Sequence, residues 1–337
     1  TTSGNWRARW GGGEPVGGDP DRPHVMIEAL ASPALISFFC GAMVAAILRR
    51  ALPSMLATAL ATTVLGLLGL KSGLTVANGG WDVIHVVPIS LVVAASSAGI
   101  AAVIFRRMSR LSAVDTGALA IHYASVSVAT YPLLTSYLER SGLSISPRIP
   151  ATFVVLEILG LIAGLVAAAA TGASILDWRT SLRETVLGRS IVVLLAAFVV
   201  GAIGGGGLDE RVGALVRGGF DVILPAYMVS VGFTLGPRLA DLRRTSLRLV
   251  VGAVAVSILG AAVAAGLAAL ASWGIAETAA LLVMTASASY VAAPGVVRHA
   301  LPDANPAVYL TCAIGITFPL NVAVGIPAFV ALARVLA

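Results

Sequence analysis

Apolar runs of about 20 residues follow one another along most of the chain, and this pattern constrains the fold more than any other sequence feature. Hydrophobic residues make up 58% of the 337 positions, and charged residues make up 11%. A run of this length crosses the hydrocarbon core of a bilayer as a helix, whereas a membrane β-barrel needs alternating segments of about 10 residues. The sequence therefore predicts an all-α polytopic membrane protein.

Arg, Asp, Gly and Pro separate the runs and predict about ten transmembrane helices. A segment rich in Gly, Pro and charge at 1–30 precedes them, and we expect it to be a flexible extracytoplasmic tail without the apolar core of a signal peptide. Both cysteines, Cys40 and Cys312, fall inside apolar runs, which favours packing over a disulfide or a metal site. The predicted spans are 31–48, 52–70, 84–105, 116–138, 150–171, 189–206, 213–236, 246–272, 276–298 and 306–335.

Basic residues are concentrated in alternate connections between these spans. With ten spans, the odd-numbered connections carry thirteen basic residues and the even-numbered ones carry five. Because cytoplasmic loops are enriched in Lys and Arg, this asymmetry predicts cytoplasmic odd connections and extracytoplasmic termini. The same scatter at the ends of apolar runs argues against a nucleic-acid partner, despite the net charge of +6. The thirteen are Arg49, Arg50, Arg106, Arg107, Arg110, Arg179, Arg183, Arg189, Arg238, Arg243, Arg244, Arg248 and Arg298.

Spans four and nine share the polar pattern S-x-S-x4-P. It reads Ser125-Val-Ser-Val-Ala-Thr-Tyr-Pro132 in the first case and Ser287-Ala-Ser-Tyr-Val-Ala-Ala-Pro294 in the second. Hydroxyls followed by proline in mid-membrane are tolerated where a helix breaks against protein or a watery cavity. Broken helices at corresponding positions of two halves indicate the substrate site of a secondary transporter. The alternative is that the hydroxyls only pack helices and the prolines only kink them.

The polar connection 172–188 divides the predicted spans into a first repeat at 31–171 and a second repeat at 189–337. Five spans are an odd number, so the second repeat enters the membrane with opposite polarity and the two are predicted to form an inverted repeat. The broken ends would then meet near the midplane. Helix N-termini there suit a small anion, and carbonyls with Ser hydroxyls suit a cation such as sodium.

The candidate site residues come from the two motifs and from two ionisable groups inside spans. Glu157 is expected to couple transport to an ion or to stabilise a broken backbone, because an ionisable group in mid-membrane is costly. His122 is a second coupling candidate, with a packed neutral ring as the alternative. The substrate-binding candidates are Ser125, Ser127, Thr130, Ser287, Ser289 and Tyr290; the ion-coupling candidates are Glu157, His122, Ser127 and Ser289; the helix-break residues are Pro132 and Pro294.

Over about 31–335 the chain resembles the sodium-dependent bicarbonate transporter family, the SbtA-type permeases. The resemblance rests on the second motif followed by Arg298, Leu301-Pro-Asp-Ala-Asn-Pro306, Tyr309, Gly315-Ile-Thr-Phe-Pro-Leu-Asn321 and Gly325-Ile-Pro327. Weaker matches in the first half are Ser32-Pro33, Lys71-Ser-Gly-Leu74, His122-Tyr-Ala-Ser-Val-Ser127 with Thr130, and Glu157.

The resemblance implies a 5+5 inverted-repeat fold in a bacterial inner membrane, with a mobile core that contains the crossed broken helices, a gate domain and a homotrimeric assembly. It also implies uptake of bicarbonate with Na⁺ as the coupling ion, and a substrate and ion region at Ser127, Thr130, Ser287 and Ser289. Lipid surrounds such a protein. A PII-type cytoplasmic regulator has weaker support, because connection 172–188 is shorter than the linker of cyanobacterial members.

Two positions depart from the cyanobacterial pattern. Cyanobacterial members have an aspartate at the position of Tyr290 and a serine at that of Ala129, so the chain is more similar to the non-cyanobacterial branch. Both changes remove or weaken oxygen ligands that sodium favours. The coupling ion therefore stays open between Na⁺, H⁺ and none.

Three functions are compatible with these observations. The first is an alternating-access importer of bicarbonate or a similar small monovalent anion. An uncoupled anion channel or facilitator is the second, and a membrane sensor or scaffold without transport is the third. An enzyme is not predicted, because the spans contain no HExxH, G-x-S-x-G or paired catalytic aspartates.

Overall fold

The computed structural model describes residues 33–48, 50, 52–79, 85–236 and 245–337, and the predicted tail lies outside them. Arg49, Arg238, Arg243 and Arg244 of the charge count also lie outside. Within the described residues the chain is helical and contains no strand. The helices are α1 Pro33–Leu48, α2 Ser54–Gly79, α3 Val86–Arg107, α4 Ala113–Ala124, α5 Thr130–Arg140, α6 Arg148–Ala170, α7 Trp178–Leu187, α8 Arg189–Leu235, α9 Leu247–Leu270, α10 Ile275–Thr285, α11 Ala293–Ala300 and α12 Pro306–Leu336.

Seven helical stretches among the described residues are long and apolar enough to cross a membrane. α1 and α10 are apolar but shorter. The structure thus confirms a polytopic, all-helical membrane protein. The seven stretches are Ser54–Ala77, Val86–Arg107, Arg148–Ala170, Trp178–Ala214, Gly218–Leu235, Leu247–Leu270 and Pro306–Leu336.

Predicted spans four and nine are each broken into two helices. The first is interrupted between α4 and α5, and the second between α10 and α11. In both, the proline of the motif lies within the first turn of the downstream helix, where its missing N–H leaves no hydrogen bond unmade. The backbone therefore leaves the helix at the serines, upstream of Pro132 and Pro294.

Predicted spans six and seven are two helices that meet at a sharp kink. α8, Arg189–Leu235, consists of two helical parts joined at Gly205, whose φ of 49° and ψ of −144° are not helical. A positive φ is easy for glycine because it has no Cβ. The run Gly204–Gly207 therefore separates the two predicted spans by a kink, where the sequence suggested a short loop.

The predicted cytoplasmic connection contains the short helix α7. Asp177 caps it by accepting hydrogen bonds from the Thr180 hydroxyl and from the N–H groups of Thr180 and Arg179. These hydrogen bonds, that of the Thr180 hydroxyl foremost, hold the pKa of the exposed Asp177 carboxyl below its ordinary value. α7 packs on α11 and so joins the connection to the second broken segment.

The helices form two groups. α8 packs along both α1 and α2, and we call these three the α8 bundle. α3 packs on α4, α6 and α9, and α4 packs on α6; with α5, α10, α11 and α12 they form a second group of eight, which we call the break bundle. Contacts between the groups are fewer, chiefly α2 with α6. Both helix breaks lie in the second group.

Glycines bring the helices of the α8 bundle into backbone contact. Gly73 of α2 has no room for a Cβ against Phe198, Gly201 and Ala202 of α8. Gly232 of α8 is equally tight against Phe38, Gly41 and Ala42 of α1. Small residues allow such close approach between membrane helices. The two contact sets repeat residue for residue, since Phe38-Phe-Cys-Gly41-Ala42 and Phe198-Val-Val-Gly201-Ala202 share the pattern F-x-x-G-A.

Candidate functional site

The two helix breaks cross and are hydrogen-bonded to each other. The Ser289 N–H donates to the His122 carbonyl at 2.8 Å, and the Ser127 N–H donates to the Ser287 hydroxyl oxygen at 2.9 Å. These serines and His122 are at most 2% exposed. Backbone groups freed by the breaks are thus satisfied by the opposite break, as a buried backbone requires.

The second serine of each motif caps the helix that follows it. The Ser127 hydroxyl accepts from the Thr130 N–H at 3.2 Å, and the Ser289 hydroxyl accepts from the Ala293 N–H at 3.4 Å. Serine is a preferred residue for this role because its oxygen satisfies an N–H that lacks a helical partner. The shared motif therefore encodes a shared local structure.

Glu157 reaches the first break from α6. One carboxylate oxygen, Oε2, accepts from the Ser125 hydroxyl at 2.7 Å and from the Val126 N–H at 3.3 Å. The other oxygen, Oε1, is buried without a hydrogen-bond partner, and the side chain is fully buried. Both alternatives considered for this residue keep support: it holds the broken backbone, and one oxygen stays available to a ligand.

Asn321 is the polar residue at the second break that corresponds to Glu157 at the first. Its side-chain N–H donates to the Val283 carbonyl at 3.0 Å, near the end of α10. That end of a helix has carbonyls without helical partners. α12 contains two π-helical segments, Thr311–Thr317 and Asn321–Gly325, and Asn321 is the first residue of the second one. Such wide turns occur mostly as local bulges and are frequent at functional sites.

His122 joins the two breaks through its ring as well as through its carbonyl. Its Nδ1 lies within hydrogen-bond distance of the Ser289 carbonyl. A carbonyl oxygen only accepts, so we assign the proton of the neutral ring to Nδ1. The ring stacks on Tyr309 with centroids 4.7 Å apart. This geometry favours the packed, neutral role considered for His122.

A cavity of about 370 Å³ leads from the surface to the second break. Its wall on the break bundle includes Tyr290, Pro294 and Arg298. Its wall on the α8 bundle includes hydroxyl groups of both α2 and α8. The residues of this wall that carry a hydroxyl are Thr58, Thr62, Ser190, Tyr227, Ser230 and Thr234. The cavity thus lies between the two bundles, and its open end is near Arg189, Arg298 and His299.

Tyr290 is the predicted substrate residue that lines this cavity. Its hydroxyl lies beside Ser127 but forms no hydrogen bond of ordinary geometry. The other five candidates, Ser125, Ser127, Thr130, Ser287 and Ser289, are buried within the crossed breaks and do not line the cavity. Tyr290 therefore stands between the cavity and the hydroxyls of the breaks.

Sequence reasoning missed Tyr227, and Asn321 is not among the site residues predicted from the sequence. The Tyr227 hydroxyl is buried without a hydrogen-bond partner, and its nearest ionisable neighbours include Tyr290 and Glu157. Tyr227 follows Pro225 in an ordinary apolar run, so no local pattern marks it. The signal for Asn321 was present, because an amide between two prolines in a membrane helix needs a hydrogen-bond partner.

A search of curated proteins finds no match for this chain. A family model described as the Na⁺-dependent bicarbonate transporter superfamily matches residues 33–334, nearly the full length. The matched region contains both helix breaks, both bundles and the cavity. The chain belongs to the Na⁺-dependent bicarbonate transporter superfamily.

Proposed function

We propose that this protein is a secondary transporter that imports bicarbonate or a similar small monovalent anion by alternating access. The observation that carries the proposal is the pair of crossed, mutually hydrogen-bonded helix breaks at the end of a cavity between two helix bundles. Crossed half-helices at a bundle interface are the usual substrate site of such transporters. Family membership supplies the substrate class.

Residue equivalences support a 5+5 inverted repeat. The motif serines and prolines recur 162 positions apart, and the α8 bundle repeats the packing of glycine on an F-x-x-G-A segment. In each pair the glycine belongs to the second helix of one half and the F-x-x-G-A segment to the first helix of the other. This exchange is the arrangement expected of two halves related by a two-fold axis in the membrane plane.

The cavity side corresponds to the cytoplasm in this proposal. Its mouth is near Arg189 and Arg298, which belong to the Arg-rich connections assigned to the cytoplasm by the positive-inside bias. On the opposite side the bundles are in contact, since Ser72 of α2 lies beside Tyr131 of α5 and both are buried. The conformation is therefore inward-open, and transport requires the break bundle to move relative to the α8 bundle.

Glu157 is the better candidate of the two for ion coupling. Its Oε1 is a buried carboxylate oxygen without a partner, and a site of this kind suits Na⁺ or a proton. His122 is bound to the opposite break through Nδ1 and packed against Tyr309. Moving its proton would disturb the crossing itself.

The test is uptake of labelled bicarbonate into proteoliposomes, with and without an inward Na⁺ gradient at fixed pH. Coupled import predicts uptake that accelerates with Na⁺, and a Na⁺-independent rate that follows a proton gradient would move the coupling to H⁺. Replacing Ser127 and Ser289 together by Ala should abolish uptake in protein that still assembles, while Ser96→Ala, which removes an exposed hydroxyl bonded within α3, should not. Normal uptake by the double variant would refute the site.

A further inference from the structure

Lys71 is the only lysine of the chain, and it lies in α2, one of the helices expected to cross the membrane. Its ammonium group is 5.9 Å from the centroid of the Phe220 ring of α8. A charged group in such a helix is costly and usually has a functional reason. The crossed breaks and the cavity described above do not use it.

The glycine contacts of the α8 bundle identify the counterpart of Lys71. Gly73 and Gly232 make the same contacts, so α2 and the second half of α8 superpose with an offset of 159 positions. With this offset Lys71 corresponds to Ser230 and Phe220 corresponds to Ala61. Ser230 and Ala61 both line the cavity on the proposed cytoplasmic side. In the proposed repeat, the Lys71–Phe220 contact on the extracytoplasmic side is therefore equivalent to Ser230 and Ala61 of the cavity wall on the cytoplasmic side.

The opposite wall gives a complementary result. Arg298 lines the cavity on the break bundle, and the motif offset of 162 positions relates it to Ser136 of α5. The cytoplasmic access path thus has Arg298 on the break bundle opposite Ser230 on the α8 bundle. The extracytoplasmic path would have Ser136 on the break bundle opposite Lys71 on the α8 bundle. Each path contains a cation, and the two cations belong to different bundles.

We propose that Lys71 lines the extracytoplasmic access path of the outward-open state and binds the anion there before it reaches the helix breaks. In the present conformation the path is closed by the Ser72–Tyr131 contact, and the ammonium group rests over Phe220. Cation–π contacts of exposed groups are weak, so an arriving small oxyanion displaces this one. This inference rests on the proposed function, because it uses the inverted repeat and the alternating states.

The kinetic test compares Lys71→Gln with Lys71→Arg in right-side-out membrane vesicles, using labelled bicarbonate. Loss of one solvated charge contact should raise KM for uptake by about fivefold with kcat little changed, and arginine should restore it. The KM for efflux, which starts from the cytoplasmic side, should stay at the wild-type value. Arg140→Gln removes an exposed charge from the same predicted side and serves as the control. An unchanged uptake KM in Lys71→Gln would overturn the proposal.

Thiol labelling tests the location independently of transport. In a Cys40→Ala, Cys312→Ala background, Lys71→Cys should react with a membrane-impermeant anionic thiosulfonate added from outside. Ile203→Cys is the control, because it is next to Ala202 at the depth of Gly73 but is 82% exposed on the outer surface of the helix, which lipid should cover. Lack of reaction at position 71 under all conditions would refute the location. If the wild-type protein carries no bicarbonate while the Lys71→Cys variant reacts, the access path stands and the proposed substrate fails.

Discussion

The two helix breaks have the same motif but different surroundings. The first is enclosed, and a carboxylate from α6 holds it through Ser125 and Val126. The second has a neutral amide at the end of α10, and its downstream residues Tyr290, Val291, Ala292, Pro294 and Gly295 line the cavity. For the proposed transporter we infer a division of labour, in which the first break is held in place and the second receives the ligand. The following predictions test this difference, beginning with the largest effect.

Glu157→Leu should cause the largest loss of stability. The substitution leaves the Val126 N–H without its acceptor in a buried break, and it leaves the Ser125 hydroxyl only the long hydrogen bond to the backbone carbonyl of residue 157 at 3.3 Å. An unsatisfied buried group costs about 1–3 kcal/mol and a lost hydrogen bond about 1 kcal/mol, so we expect a loss of about 3 kcal/mol, measured by unfolding in mixed detergent micelles. Glu157→Gln keeps an acceptor oxygen and should lose less than half as much. Equal stability of the Leu variant and the wild type would contradict the holding role.

Asn321→Leu should have a smaller effect on the second break. It removes one hydrogen bond to the Val283 carbonyl, but it also removes the side-chain oxygen Oδ1, which is buried without a partner. The expected net loss is about 2 kcal/mol in the same unfolding assay. Because Leu replaces both Glu157 and Asn321, the two variants compare the breaks directly. A larger loss for Asn321→Leu would reverse the assignment of the held break.

Removal of the capping serine should also cost more stability at the first break than at the second. Ser127→Ala should cost about 1 kcal/mol, as loss of a serine cap does. The Ser289 hydroxyl is farther from its N–H, at 3.4 Å against 3.2 Å, so Ser289→Ala should cost less. Unfolding of the single variants measures both values. Ser136→Ala, outside the breaks, should be neutral, and equal losses at the two caps would remove this difference between the breaks.

Tyr290→Phe should have the smallest effect on stability and yet change transport. Tyr290 lines the cavity, and its buried hydroxyl forms no hydrogen bond of ordinary geometry, so removal of the hydroxyl should cost under about 0.5 kcal/mol. A lost hydrogen bond to the anion should raise KM for bicarbonate by about fivefold. Tyr137→Phe changes a tyrosine of α5 that lies outside both motifs and does not line the cavity, and it should leave KM unchanged. Equal KM values for the two variants would contradict the receiving role.

The sequence predicted the class of fold and the location of both breaks, because hydroxyls and prolines in apolar runs report on the backbone directly. It placed the boundary of spans six and seven at the glycine run but not the sharp kink at Gly205, since four glycines fit both a loop and a kink. The close contacts of Gly73 and Gly232 bring together residues more than a hundred positions apart, and no local pattern shows which glycines meet. The cavity could not be predicted either, because Tyr227 lines it only as a result of how the α8 bundle packs against the break bundle.

The exchanged glycine contacts also bear on how the protein is made. Gly41 packs against Val229, which the ribosome adds 188 residues later. At about 5–20 residues per second, α1 waits roughly 10–40 s in the membrane before its partner exists. During that time its exposed glycine face is open to lipid, to insertion factors or to another nascent chain. We therefore expect the first half of the protein, synthesised alone, to persist as an inserted intermediate that a separately expressed second half can complete.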